Sequence, residues 1–177
     1  MKRRELEHVL RAASRIADET DVLVIGSQSI LGSFDDSRLP PEASASIEVD
    51  VTFFDDEDDA KSDAVDGAIG ELSTFHETFG YYAQGVSITT AILPEGWRER
   101  VVEFRTSGTE PARGLCLERH DLVLAKLAAG RPKDYAFADA LRREGLVDMT
   151  IIRQRLPSLP ADPRAIQRIQ AWVDASH

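Results

Sequence analysis

The sequence predicts an α+β fold: a mixed β-sheet core with flanking helices, followed by a C-terminal helical segment. Three observations predict it. Short apolar or alternating runs that read as strands fall in the first two-thirds of the chain. Helical stripes fill the last third, and no internal repeat or low-complexity segment interrupts either. At 177 residues and 42% apolar content, the chain has enough material for one well-buried unit.

Leu6, Val9, Leu10, Ala13, Ile16 and Ala17 recur at helical spacing, so residues 5–19 read as an amphipathic helix. Val22-Leu23-Val24-Ile25 is too short and too apolar for anything but a buried strand, and it stops at the small-residue corner Gly26-Ser27. A short helix is expected from Ser27 to Phe34, then a loop over 35–46 around Pro40-Pro41. Ile47 to Phe54 alternates as a strand, with Glu48, Asp50 and Thr52 on one face and Val49, Val51 and Phe53 on the other. Val65, Ile69, Leu72, Phe75 and Phe79 mark a helix over 62–79, ended by Gly80.

Val86, Ile88, Thr90 and Ile92 predict a strand over 86–93, stopped by Pro94-Glu95-Gly96, and 101–105 reads as another. From Glu118 the pattern is helical: 119–129 ending at Gly130, 133–144 ending at Gly145, a short helix capped by Asp148 to about Arg155, and 162–175. The organisation that follows is an α/β core over 1–110 and a helical segment over 111–177 packed on it as one unit.

Composition excludes several classes. No run approaches the roughly 20 apolar residues of a membrane span, and the basic start Met1-Lys2-Arg3-Arg4 leads into an amphipathic pattern rather than a signal sequence, so no membrane partner and a cytoplasmic location are expected. Cys116 is alone, and His8, His76, His120 and His177 lack metal-ligand spacing, which excludes a disulfide and a cysteine-rich zinc site. Net charge is −10, with −12 over residues 1–94 and +2 over 95–177, which argues against a non-specific grip on nucleic acid by the whole molecule. Asp55-Asp56-Glu57-Asp58-Asp59 reads as a solvated loop.

Three segments carry chemistry. A strand ending in Gly26-Ser27 and opening a helix presents backbone N–H groups and a helix dipole to an anion, with the hydroxyls of Ser27 and Ser29 at hand. The segment lacks the Gly-Lys-Ser/Thr ending of a P-loop and the GxGxxG of a dinucleotide fold. Glu48 and Asp50, about 6–7 Å apart on one strand face, offer the hard oxygen ligands that Mg²⁺ takes alongside phosphates and water. Lys126, Arg131, Lys133 and Asp134 gather around a Gly130-Arg131-Pro132 turn, where the cations can neutralise triphosphate oxygens.

Together Gly26-Ser27-Gln28-Ser29-Ile30-Leu31-Gly32, Glu48-Val49-Asp50 and Lys126 with Arg131-Pro132-Lys133-Asp134 resemble the nucleotidyltransferase superfamily. More narrowly, they resemble the minimal AbiEii-like nucleotidyltransferases of abortive infection and a related domain-of-unknown-function family, over roughly residues 20–155. The resemblance implies a Mg²⁺-dependent transfer of a nucleotidyl group from an NTP to a tRNA or protein acceptor. It also implies the toxin-like role in a toxin–antitoxin pair, with an antitoxin or another protein as partner. The implied catalytic set is Asp50, Glu48, Lys126 and Asp134, the metal ligands are Glu48 and Asp50, and Gly26, Ser27, Ser29, Arg131 and Lys133 bind the nucleotide. The chain departs from the superfamily in Glu48 where an aspartate is usual. It departs again in a third acid missing from the 86–93 segment, which offers only Ser87, Thr89 and Thr90. The alternative is a catalytically degenerate member of the fold that serves as a nucleotide- or protein-binding module.

Overall fold

A computed structural model describes residues 1–175 of the chain; His177 lies outside them. The fold is α+β, built on a five-stranded mixed sheet in the order β3-β2-β1-β5-β4. Helix α1 (Arg3–Ala17) buries Leu6, Val9, Leu10 and Ala13, the stripe its sequence announces. Strand β1 (Asp21–Val24) follows. A 3-10 turn over Ser27–Ser29 then leads into the single turn of α2 (Ile30–Ser33). The stretch expected to be a loop holds one more helical turn, α3 (Pro41–Ser44), started by Pro41 at its first position, before β2 (Glu48–Thr52).

The 62–79 stripe is two helices rather than one. α4 (Ala60–Ile69) and α5 (Thr74–Phe79) are separated at Gly70 to Ser73, where Leu72 adopts a left-handed φ of 63°. Ser73 restarts the helix by accepting the His76 N–H on its side chain at 3.2 Å. Strand β3 is Tyr82–Gly85. It lies upstream of the expected 86–93 strand, which instead carries a 3-10 turn over Ile88–Thr90. The ladder explains the difference: Val86 N–H makes the last bond to the β2 side, to the Val51 carbonyl at 3.0 Å, and Ser87 then caps the turn through Thr89 N–H.

Strand β4 (Val102–Phe104) falls where expected, but β5 (Arg113–Cys116) does not. It sits beside β1 in the middle of the sheet, so the segment beyond residue 110 contributes a central strand, and helix begins only at α6 (Arg119–Ala129). α7 (Pro132–Arg143), α8 (Met149–Arg155) and α9 (Pro163–Asp174) complete the chain. β1 runs antiparallel to β2 and parallel to β5; β2 is parallel to β3, and β4 antiparallel to β5. Val22, Leu23, Val24, Val49 and Val51 are fully buried, so the sheet centre is covered on both faces. Among the described residues no helix is long and apolar enough to cross a membrane.

α6 is fixed by a buried ionic network at its start. Asp121, with no exposed surface, accepts from Arg100 Nε at 2.8 Å and from Arg155 Nη1 at 2.8 Å. Glu118 caps the helix and bonds Arg155 and His120. Burial alone would raise the Glu118 carboxyl, but His120 and Arg155 hold it at about 2. His120 is buried; its Nε2 accepts the Asp148 N–H at 2.9 Å, so Nδ1 carries the proton shared with Glu118 at 2.7 Å. The network ties α6 to α8 and to the 3-10 turn at Trp97–Arg100.

Removing one partner of such a buried set leaves an uncompensated charge. Asp121→Ala is expected to lower the unfolding free energy by about 3–5 kcal/mol, read from urea denaturation; in the acidic loop, where Asp56 is buried against Ser62 but Asp55 is exposed, Asp55→Ala changes it by less than about 0.5 kcal/mol.

Candidate active site

The site grows from a close approach of backbone to carboxylate. Ile25 N–H donates to the Asp50 carbonyl at 3.1 Å, the last bond of the β1–β2 ladder. It brings the next residue, Gly26, against the Asp50 side chain. A Cβ built on Gly26 would lie 1.5 Å from Asp50 Oδ2, so no other residue type fits here without moving the acid. Alternation along β2 does the rest: Val49 and Val51 are fully buried on one face, and Glu48 and Asp50 line a cleft on the other.

That cleft has a volume of about 610 Å³. It is lined by Gly26 and Ser27 from the turn after β1, by Glu48 and Asp50 from β2, and by Lys126, Arg131, Lys133 and Asp134 from the region of the α6–α7 turn. Eight of the nine residues singled out in the sequence therefore converge. Ser29 does not. The 3-10 turn places it inward, where its hydroxyl is fully buried without a protein partner and outside the cleft lining.

The cations reach the cleft through the α6–α7 turn. Gly130 ends α6 at φ 70°, a left-handed position suited to glycine, and its N–H donates to the Lys126 carbonyl at 3.0 Å. Pro132 then starts α7 at its first position. Asp134, one of the implied catalytic set, is engaged by the neighbouring cations. It accepts from Arg131 at its backbone N–H (3.1 Å), Nε (2.7 Å) and Nη2 (3.1 Å), and it lies 3.7 Å from Lys126 Nζ. Burial would raise its proton affinity, but Arg131 and Lys126 keep it below the ordinary aspartate range. Asp134 thus pairs with Arg131 and lies beside Lys126 where it lines the cleft.

Electrostatics sort the remaining groups. Burial, then the neighbouring Glu48 charge, pushes the Asp50 carboxyl up to about 6, with Lys126 opposing. Burial pulls the Lys126 ammonium below the usual lysine value, against the pull of Asp134 and Asp50. The hydrogen bond that Arg131 donates to Asp134 holds the guanidinium above its ordinary value.

Two residues of the site escaped the sequence. In the β2–β3 register Glu48 lies opposite Tyr82 and Asp50 opposite Gln84. The Tyr82 hydroxyl donates to Glu48 Oε2 at 2.9 Å, and burial followed by that carboxylate raises the phenol to about 12, so it stays a donor. Gln84 lines the cleft beside Asp50, a neutral amide on the strand next to the acid pair. The signal that locates both is the parallel register, which only the paired strands reveal.

The donor set fits magnesium. Two carboxylates share one strand face, their mutual repulsion is visible in the raised Asp50, and every available ligand atom on them is a hard oxygen. Among the described residues no group of three or more His, Cys, Asp or Glu side chains is arranged as a metal cage, so phosphate and water would complete the shell.

The sign of the Asp50 shift makes a stability prediction for the metal-free protein. With a folded value of about 6 against 3.8 unfolded, the unfolded chain ionises first as pH rises. The penalty is absent below pH 4, grows between 4 and 6, and is complete above 6, at up to about 3 kcal/mol. In EDTA, Asp50→Asn should therefore be more stable than the native chain at pH 7.5 and no more stable at pH 4, measured by thermal melts across that range.

Comparison with known proteins agrees with this geometry. A family model described as a nucleotidyltransferase of unknown function (DUF6036) matches residues 4–162, a span that runs from α1 through α8 and includes every residue of the cleft named above. No curated protein and no solved structure matches the chain. By the extent of that match, the chain belongs to the DUF6036 family of nucleotidyltransferases of unknown function.

Proposed function

We propose that the chain binds a Mg²⁺–NTP in this cleft and transfers its nucleotidyl group to a hydroxyl of an RNA or protein acceptor. The observation that carries the reading is the convergence of the Gly26-Ser27 turn, the Glu48/Asp50 pair and the Lys126–Arg131–Lys133 cluster on one cavity. Gly26 and Ser27 would cradle β- and γ-phosphate oxygens, with Lys126, Arg131 and Lys133 neutralising the same charge from the region of the α6–α7 turn. Glu48 and Asp50 would hold the magnesium, which when bound offsets triphosphate charge and polarises the reacting phosphorus. In the transfer, the oxygen of an acceptor hydroxyl would bond to the α-phosphorus while its proton passes to solvent water, the bond from the α-phosphorus to the bridging oxygen of the β-phosphate would break, and diphosphate would leave toward the cations.

A second reading has its own support. The strand beside Asp50 presents the amide of Gln84, which cannot take a proton from an attacking hydroxyl, and this favours a nucleotide- or protein-binding module on the same fold. The resemblance to AbiEii-like enzymes supports a toxin-like role with an antitoxin partner, which depends on catalysis and so separates the two readings.

Labelled NTP incubated with Mg²⁺ and RNA or protein acceptors should give covalent transfer by the native chain and none by Asp50→Asn. Binding without transfer to either acceptor would favour the module. Induced expression should slow growth with the native chain and not with Asp50→Asn. Lys126→Ala should weaken Mg²⁺–NTP binding by about 1.5–3 kcal/mol, the worth of a hydrogen bond to a charged group, in calorimetric titration. A change below about 0.5 kcal/mol, as for a surface residue, would remove Lys126 from the site.

A further inference from the structure

One oxygen of the acid pair is already taken. The Tyr82 hydroxyl donates to Glu48 Oε2 at 2.9 Å, across the register that sets the two residues opposite each other on β2 and β3. The phenol has little freedom. It is 8% exposed, and the His76 ring lies against it with centroids 4.7 Å apart. His76 is held in turn, its Nδ1 accepting the Leu72 N–H at 3.1 Å and its own N–H bonded to the Ser73 side chain. A short chain of contacts thus runs from the cap of α5 through His76 and Tyr82 to a single oxygen of Glu48.

This bears on which cation the pair accepts. Mg²⁺ and Mn²⁺ suit octahedral sites and take carboxylates through one oxygen, whereas Ca²⁺ takes six to eight oxygens in flexible shells and often binds a carboxylate through both. A glutamate with Oε2 engaged by a rigid donor offers a fixed oxygen to the first kind of ion and resists the two-oxygen mode of the second. Resting on the reading that Glu48 and Asp50 hold the metal, we propose that Tyr82 is a positioning residue that makes the acid pair select Mg²⁺-like ions over Ca²⁺.

The test uses the whole chain and metal binding alone. Mn²⁺ is titrated with the free ion followed by electron paramagnetic resonance, and Ca²⁺ is measured by competition, for the native chain, Asp50→Asn, Tyr82→Phe and His76→Ala, with melts to confirm folding. The expected result is Mn²⁺ uptake by the native chain that Asp50→Asn abolishes. Tyr82→Phe should weaken Mn²⁺ by about tenfold, the lower end for loss of a hydrogen bond to a metal ligand, while Ca²⁺ binding holds or tightens, so the Mn²⁺/Ca²⁺ preference falls by about tenfold or more. His76→Ala, which keeps the hydroxyl but frees the ring, should move the preference in the same direction by less, and carries the test if Tyr82→Phe does not fold. Native uptake with an unchanged preference in the tyrosine variant, or an equal loss for both ions, overturns the role of Tyr82 and leaves the metal site standing. No Mn²⁺ uptake by the native chain overturns the metal site and this inference with it.

Discussion

The packing of the Gly26 backbone against the Asp50 carboxylate is the constraint on which the site depends. It follows from the antiparallel pairing of β1 with β2, which ends at the bond from Ile25 N–H to the Asp50 carbonyl. The absence of a Cβ at Gly26 lets a turn and a charged group occupy space that any other residue would fill. The same approach makes the acid expensive. Asp50 is half-buried beside a second carboxylate, and the fold carries that repulsion until a proton or a cation relieves it. An amide or an apolar residue there would avoid that repulsion.

The α6 side of the cleft is held by a different device. α6 begins in a buried network in which Asp121 and Glu118 meet Arg100, Arg155 and His120. Such networks give little net stability relative to apolar packing, but they fix geometry, because each charge is satisfied in one arrangement. Here the arrangement sets the axis of α6 against α8 and the 97–100 turn, and therefore where Lys126, nearly two turns further on, enters the cleft.

The cleft carries both signs of charge before any ligand arrives, with Glu42, Glu48, Asp50 and Asp134 set against Lys126, Arg131 and Lys133. Asp134 occupies the fork of Arg131 and lies near Lys126, as a phosphate would, and so holds both cations in place. On the proposed function, a triphosphate would compete with an internal carboxylate for Arg131 and would meet the exposed Lys133. Its affinity would then reflect the difference between two anions.

Much of this was legible in the chain because it rests on local rules. The stripe of α1, the alternation of β2, the Gly130-Arg131-Pro132 turn and the Asp148 cap are each decided within a few residues by side-chain spacing or by backbone chemistry, and the structure has them where the sequence puts them. Pairing decided the rest. Tyr82–Gly85 is a strand because β2 offers it a parallel partner, while the better-alternating 86–93 run has none beyond Val86. Arg113–Cys116 becomes central by lying beside β1, ninety residues earlier in the chain. Tyr82 beneath Glu48, Gln84 beside Asp50, the inward turn of Ser29 and the capture of Asp134 by Arg131 all follow from such contacts. Residue types and their spacing determined the class of fold and brought eight of the singled-out residues to the cleft. Which groups touch, and hence which carboxylates remain for a metal, was decided by strand register and helix placement, since these are set by burial and hydrogen bonding summed over the whole molecule.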